Sequence, residues 1–299
     1  MKKAGAYLAY LVFKVIVKLF YILPWSLLYW LSDGLRVFLF SLVRYRTKVV
    51  RGNLERLFPD KPTEWKNNTL KAFYGNLSDI IVESIKGYGM PSHELLKRFN
   101  LENVEELSRI EALYPRIIIA SAHCGNWEWG AITAPLLLNY STYGLYKPLS
   151  NPFIDRWMRQ RRAKEGMHLV PISATSSMFK NQSEKAAYFF ITDQHPSRRQ
   201  NAIWVRFFDY PTAWIHGLEK YAHLHRLPVF YFGIRRQGRG QYKVYIREIA
   251  LHPEELPWGE ITRRYVKVLE EAIKEDPANW LWTHRRWKYA PVDSDQIWN

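Results

Sequence analysis

The chain has few of the residues that would allow an extracellular or metal-built reading. Among its 299 residues there is one cysteine, so no intramolecular disulfide framework and no cysteine-based zinc cluster can form. Glycine (15) and proline (16) are too sparse for a collagen-like or low-complexity chain, and 47% hydrophobic residues exclude a disordered one. There is no internal repeat, no H-E-x-x-H zinc helix and no G-x-S-x-G nucleophile elbow. Acidic residues are also scarce, 28 against 43 Lys plus Arg, which leaves a formal charge of +15. Such a balance implies an anionic partner: nucleic acid, a membrane surface, or an acidic protein or substrate.

The N-terminus narrows that choice. From Ala4 to Val43 the chain is almost wholly aliphatic and aromatic, with charges only at Lys14, Lys18, Asp33 and Arg36. Its longest uncharged run, Leu19 to Ser32, contains Pro24 and falls short of the roughly 20 apolar residues of a clean span. Lys14 and Lys18 share a helical face, as in a helix that lies in the interface or snorkels its lysines. A cleaved leader fits less well, because lysines interrupt the apolar stretch and no small-x-small site follows it. The expectation is a membrane-anchoring helical segment over 1–45, span or interfacial, followed by a second domain over 46–299. Arg44, Arg46, Lys48 and Arg51 then form a basic collar of the kind found on the cytoplasmic side of membranes.

Beyond it, helical and extended patterns alternate. Apolar spacing predicts helices over 64–86, 92–113, 129–138, 152–165, 213–226 and 259–274. Short apolar runs predict strands over 116–120, 142–146, 168–172, 188–192, 203–208, 229–234 and 242–249. This order implies an α/β fold with a central, mostly buried mixed sheet flanked by helices, its site beyond strand C-termini.

After the strand at 116–120 stands His123-Cys124-Gly125-Asn126-Trp127-Glu128. Gly125 permits a sharp turn, Asn126 is a good N-cap, and Glu128 falls in the first helical turn, where the helix dipole favours a carboxylate. Folded back by the turn, Glu128 is placed to accept the His123 Nδ1 proton, leaving Nε2 as a base. Cys124, next to the histidine, is read as a packing residue, and His195, His216, His223, His225 and His284 as structural.

These residues resemble the H-x-G-N-W-E signature of the late lipid A acyltransferases, the lauroyl- and myristoyl-type enzymes of the lysophospholipid acyltransferase superfamily. Tyr146-Lys147-Pro148 with Asn151-Pro152, the basic run Arg159 to Arg162, Thr192-Asp193-Gln194, Pro211-Thr212-Ala213 with Gly217 and Glu219, and Trp280 to Lys288 resemble further family segments in the same order, over roughly 5–290. Two positions depart from the pattern: Lys147 stands for an arginine, and Cys124 for an aromatic residue.

The resemblance implies transfer of a fatty acyl chain from an acyl carrier protein thioester to a hydroxyl of a lipid A precursor, at the cytoplasmic face of the cell inner membrane. It implies His123 as general base with Glu128, without cofactor or metal. Asn126, Lys147, Arg159, Arg162, Asp193 and Gln194 are the expected substrate-binding residues. Arg198, Arg199 and Arg206, or Arg235, Arg236 and Arg239, are expected to dock the acidic carrier. The other reading within the superfamily is a different lipid acceptor: a glycerophospholipid, a phosphoinositol mannoside or an amino-acid lipid. Nucleic-acid binding explains neither the apolar N-terminus nor the His-to-Glu turn and is set aside.

Overall fold

The computed structural model describes residues 2–180 and 185–298. The chain begins with α1 (Lys2–Ile22) and, after Pro24, α2 (Trp25–Val37), which continues through a π-helical turn at Phe38–Leu42. Then come α3 (Thr47–Leu57), α4 (Thr63–Gly89), α5 (Ser92–Leu96), β1 (Phe99–Leu101) and α6 (Val104–Leu113). The central part is β2 (Arg116–Ser121), α7 (Trp127–Leu137), β3 (Ser141–Tyr146), α8 (Pro152–Ala163), β4 (His168–Pro171) and β5 (Ala186–Ile191). It is followed by β6 (Ala202–Phe207), β7 (Tyr210–Ile215), α9 (Gly217–His225), β8 (Val229–Gly238), β9 (Gln241–Ala250), α10 (Glu260–Glu275) and β10 (Ile297–Trp298).

Seven strands form one sheet in the order β1-β9-β8-β2-β5-β3-β4, parallel except for the β8–β9 pair. Its central strands are apolar on both faces: Ile117 to Ala120, Ala186 to Tyr188 and Val229 to Phe232 are all buried, as a parallel sheet covered by helices requires. The expected mixed α/β sheet is therefore present. A second sheet, β10-β6-β7, was not anticipated.

Two expected helices are divided. Over 92–113 the chain breaks to form β1, because Phe99 leaves the helical course, is fully buried, and pairs with Tyr242 at the sheet edge. Over 213–226 the first residues belong to β7, joined to β6 by a two-residue turn in which Phe208 (φ 49°) and Asp209 (φ 62°) both take left-handed conformations. Such hairpin turns are normally marked by Asn-Gly or Asp-Gly, and this one has neither.

The N-terminal helices pack on α4, with α1 also crossing α8. Pro24 cannot extend α1, and the freed carbonyls at its end are capped by one side chain: Lys86 Nζ donates to Phe20 O (3.1 Å), Tyr21 O (2.7 Å) and Leu23 O (2.7 Å). Phe13 meets Trp157, and Tyr7 meets Phe153, on the inner side. The outer side exposes Leu8, Leu11, Val12, Val15, Ile16 and Leu19. Helix α1 is longer than the uncharged run suggested. Residues Lys3–Ile22 are long and apolar enough to cross a membrane, and only 6% of that window is buried in the protein.

Candidate active site

Parallel pairing builds the site. Strands β2 and β5 lie side by side with Ser121 opposite Ile191, so the residues two places beyond each end, His123 and Asp193, are carried to the same edge of the sheet. The structure joins them: His123 Nδ1 lies 2.7 Å from Asp193 Oδ1, and the His123 backbone N–H donates to Asp193 Oδ2 at 2.9 Å. Trp280 Nε1 donates to the same Oδ2 at 2.9 Å. The C-terminal segment also pins the histidine turn by backbone bonds, Leu281 N to His123 O and Gly125 N to Asn279 O. The tryptophan-rich ending thus acts as a clamp on the turn and on the carboxylate.

This arrangement corrects the expectation for Glu128. The Nδ1 partner of His123 is Asp193. Glu128, in the first turn of α7, instead takes hydrogen bonds from Tyr88 Oη and Arg162 Nη2, both at 2.5 Å to its Oε2. The five-residue spacing brings Glu128 near the histidine, where its charge still favours the imidazolium, but the turn leaves the Nδ1 side facing β5. Burial opposes the imidazolium, yet Asp193, its hydrogen bond and Glu128 outweigh that and hold the His123 pKa above its ordinary value. Asp193, though completely buried, is kept below the usual carboxylate range by His123 and Trp280.

The turn behaves as its residues predict. Gly125 has φ 55°, and a Cβ there would lie 2.6 Å from Ile234 Cγ2, so only glycine fits. Asn126 Oδ1 accepts the Trp129 N–H as an N-cap. Its Nδ2 donates to buried Glu83, which also accepts from Gly240 N, Tyr29 Oη and Tyr242 Oη. Fully buried, Asn126 fixes the turn and does not line the cavity, which corrects its expected substrate-binding role. Glu83, in the middle of α4, is a positioning residue that no local signal marks.

His123 opens onto a cavity of about 270 Å³ between the sheet and helices α7 and α8. Gly144, Leu145, Met158, Met167, Leu169, Phe189 and Phe232 make its apolar wall; Lys147, Arg159 and Arg162 stand among its polar lining. Lys147 is exposed, whereas Arg159 pairs with Asp155 and Arg162 with Glu128. Gln194 faces the other side of the histidine, its Nε2 3.5 Å from His123 Nε2. There it lines a second groove, of about 430 Å³, with Leu39, Leu77, Ile81, Trp127, Leu281 and His284. Trp127 borders both spaces, and its ring meets the imidazole edge-on at 5.2 Å.

Cys124 is buried, and desolvation, with Asp193 adding to it, pushes its thiol well above the ordinary value, so it is no thiolate. His284, drawn down to about 4 chiefly by burial, stays neutral and accepts the His195 N–H at Nε2. His223 bonds Glu219. Of the arginines expected to dock a carrier, Arg235 pairs with Glu102 and Glu275, Arg236 with Asp79, Arg239 with Asp33 and Asp79, and Arg199 with Asp295.

The structure is thus an α/β protein with a histidine on a buried carboxylate, at the C-terminal edge of a largely parallel sheet and at the mouth of an apolar cavity. The family is shown by comparison: residues 1–289 match the bacterial lipid A biosynthesis acyltransferase family, and the chain belongs to it. It is 25% identical over 276 residues to a lipid A biosynthesis acyltransferase of Haemophilus influenzae, covering 90% of this chain and 86% of that one. It is 23% identical to the lipid A biosynthesis lauroyltransferase of Escherichia coli (90% and 88% covered), and 20% to the palmitoleoyltransferase of the same organism (92% and 90%).

Proposed function

We propose that the protein transfers a fatty acyl chain from an acyl carrier protein thioester to a hydroxyl of a lipid A precursor, at the cytoplasmic face of the inner membrane. The observation that carries the reading is the His123–Asp193 pair at the mouth of an apolar cavity, in a chain of this family. The donor chain lies along Leu145, Met167, Leu169 and Phe189, which brings its thioester carbonyl beside His123. Asp193 accepts Nδ1–H and so leaves the Nε2 lone pair to take the proton of the attacking hydroxyl. The tetrahedral centre then collapses to the ester and expels the carrier's thiolate, which takes that proton from Nε2–H. General-base help of this kind is worth about 10²–10⁴ in rate.

Glu128 holds Arg162 and Tyr88 against the cavity wall and adds its field to the imidazolium as it forms. Lys147 and Arg159 at the mouth hold polar groups of the substrates, and Gln194 orients the group that approaches Nε2. The amide of Gly125 is bonded to Asn279 O and that of Trp129 to Asn126, so neither is open to the oxyanion. The apolar outer side of α1 supports membrane attachment of residues 1–45, with the rest as the catalytic domain.

Membranes carrying His123→Ala or Glu128→Ala protein are expected to lose transfer from acyl carrier donors, His123→Ala more completely. Near-normal turnover in His123→Ala would refute the general base. Mass spectrometry of lipid A from cells lacking the gene tests the acceptor: an unchanged acylation pattern, with a species missing from another lipid class, would select the alternative acceptor.

A further inference from the structure

The cations of this protein are not used alike. Many arginines beyond the N-terminal segment are matched to carboxylates, as in Arg247–Glu271, Arg263–Glu260 and the pairs described above. Those of α8 follow the same pattern: Arg159, Arg161 and Arg162 are tied to Asp155, Glu165 and Glu128. By contrast, Lys48, Arg56, Arg285 and Lys288 are exposed and form no ion pair among the described residues. All four line one cavity, of about 590 Å³, together with His195 and Asn53, and no carboxylate lines it.

Unneutralised like charges around a concavity repel one another, and a bound anion relieves that repulsion. Arg56 Cζ lies 4.7 Å from the Tyr210 ring centre and 5.1 Å from that of Trp287, so the two rings hold the guanidinium beside the cavity. Fully buried Arg286 adds positive potential from behind; its Nη1 bonds Ala213 O, and its Nε and Nη2 have no partner. The cavity adjoins the groove beside the active centre through one pair of histidines. His195 is bonded to His284, and His284 lines the groove that runs past Gln194 and Trp127 to His123. Immediately before this basic cluster, Phe38, Leu42 and Val43 are exposed apolar residues.

We infer that this cavity binds a phosphate monoester on the headgroup of a phosphorylated glycolipid acceptor, and so positions the acceptor on the Gln194 side of His123, opposite the acyl cavity. The assignment rests on the acceptor proposed above. A monoester near neutral pH carries about −1.5 to −2 charges and three acceptor oxygens, which matches several unpaired cations better than a singly charged diester does.

The test uses the full-length protein in detergent micelles, an acyl carrier thioester donor, and a glucosamine-disaccharide lipid acceptor with or without its phosphates. The wild-type KM is expected to be about 10-fold lower for the phosphorylated acceptor. Arg285→Gln with Lys288→Gln should raise that KM to the level of the dephosphorylated form, Arg285→Lys with Lys288→Arg should restore it, and Arg247→Gln should leave the ratio unchanged. Glucosamine 1-phosphate should broaden saturably in phosphorus NMR with wild type and not with the double Gln variant. Equal KM for both acceptors with transfer intact overturns the phosphate site alone. A rise in KM confined to the donor overturns it in favour of the donor's own phosphate. Transfer to neither acceptor overturns the functional reading on which the acceptor rests.

Discussion

Replacing Asp193 with asparagine keeps the size of the side chain and changes only what it can accept. The carboxylate takes three hydrogen bonds: His123 N–H and Trp280 Nε1–H on Oδ2, and His123 Nδ1–H on Oδ1. An asparagine has one oxygen and one NH₂ for the same three donors. With its oxygen toward Nδ1, its NH₂ confronts two buried donors, at about 1–3 kcal/mol each. With its oxygen toward His123 N–H and Trp280, both are satisfied and the NH₂ faces Nδ1. The second orientation wins by several kcal/mol. It forces Nδ1 to accept, places the imidazole proton on Nε2, and so removes the base that the proposed mechanism needs on that side.

Transfer by Asp193→Asn should therefore fall by about 10³–10⁴, with the fold intact, in single-turnover assays with a preloaded acyl carrier. The pH profile gives an independent reading. In the wild type the His123 pKa is raised by Asp193 and Glu128 against burial, so activity should decline as pH falls through a value above the ordinary 6.5. Without the Asp193 charge, burial acts with less opposition, and the acid limb of the residual activity should move to lower pH. Turnover within about 5-fold of wild type, or an acid limb that stays in place, would refute the assignment of Asp193 as the partner of the base.

Two further substitutions test the turn. Gly125→Ala forces a Cβ against Ile234 at φ 55° and should destabilise the protein by about 2–4 kcal/mol, with activity lost beyond that expected from unfolding; a wild-type melting temperature would contradict the close approach. Cys124→Ala should keep transfer within about 3-fold, and thiol-directed reagents should leave the native wild type active; inactivity of correctly folded Cys124→Ala would revive a thiol nucleophile.

Much of the fold is legible because its signals are local. The apolar runs at 116–120 and 229–234 and the helical spacing over 64–86 and 259–274 correspond to β2, β8, α4 and α10. The failures are equally physical. β7 follows a turn of Phe208-Asp209 whose left-handed backbone is held by tertiary packing, and β1 is a short edge strand that β9 recruits. In the site, His123 and the Gly125-Asn126 turn are evident from spacing alone. Glu128 seemed the partner of the imidazole because it is five residues away, but nearness along the chain does not fix which ring nitrogen it meets.

The sequence by itself determined the family, the alternating α/β pattern, the apolar N-terminus and the histidine turn, all of which depend on residues close to one another in the chain. Only the tertiary structure decided what those residues do together. A carboxylate 70 positions away reaches Nδ1 because β2 and β5 pair in parallel with Ser121 opposite Ile191. The net charge of +15 likewise says nothing of its distribution. Folding joins many arginines to carboxylates and, among the described residues, leaves Lys48, Arg56, Arg285 and Lys288 without an ion pair around one cavity, since ion pairing depends on distances of a few ångströms that the order of residues does not specify.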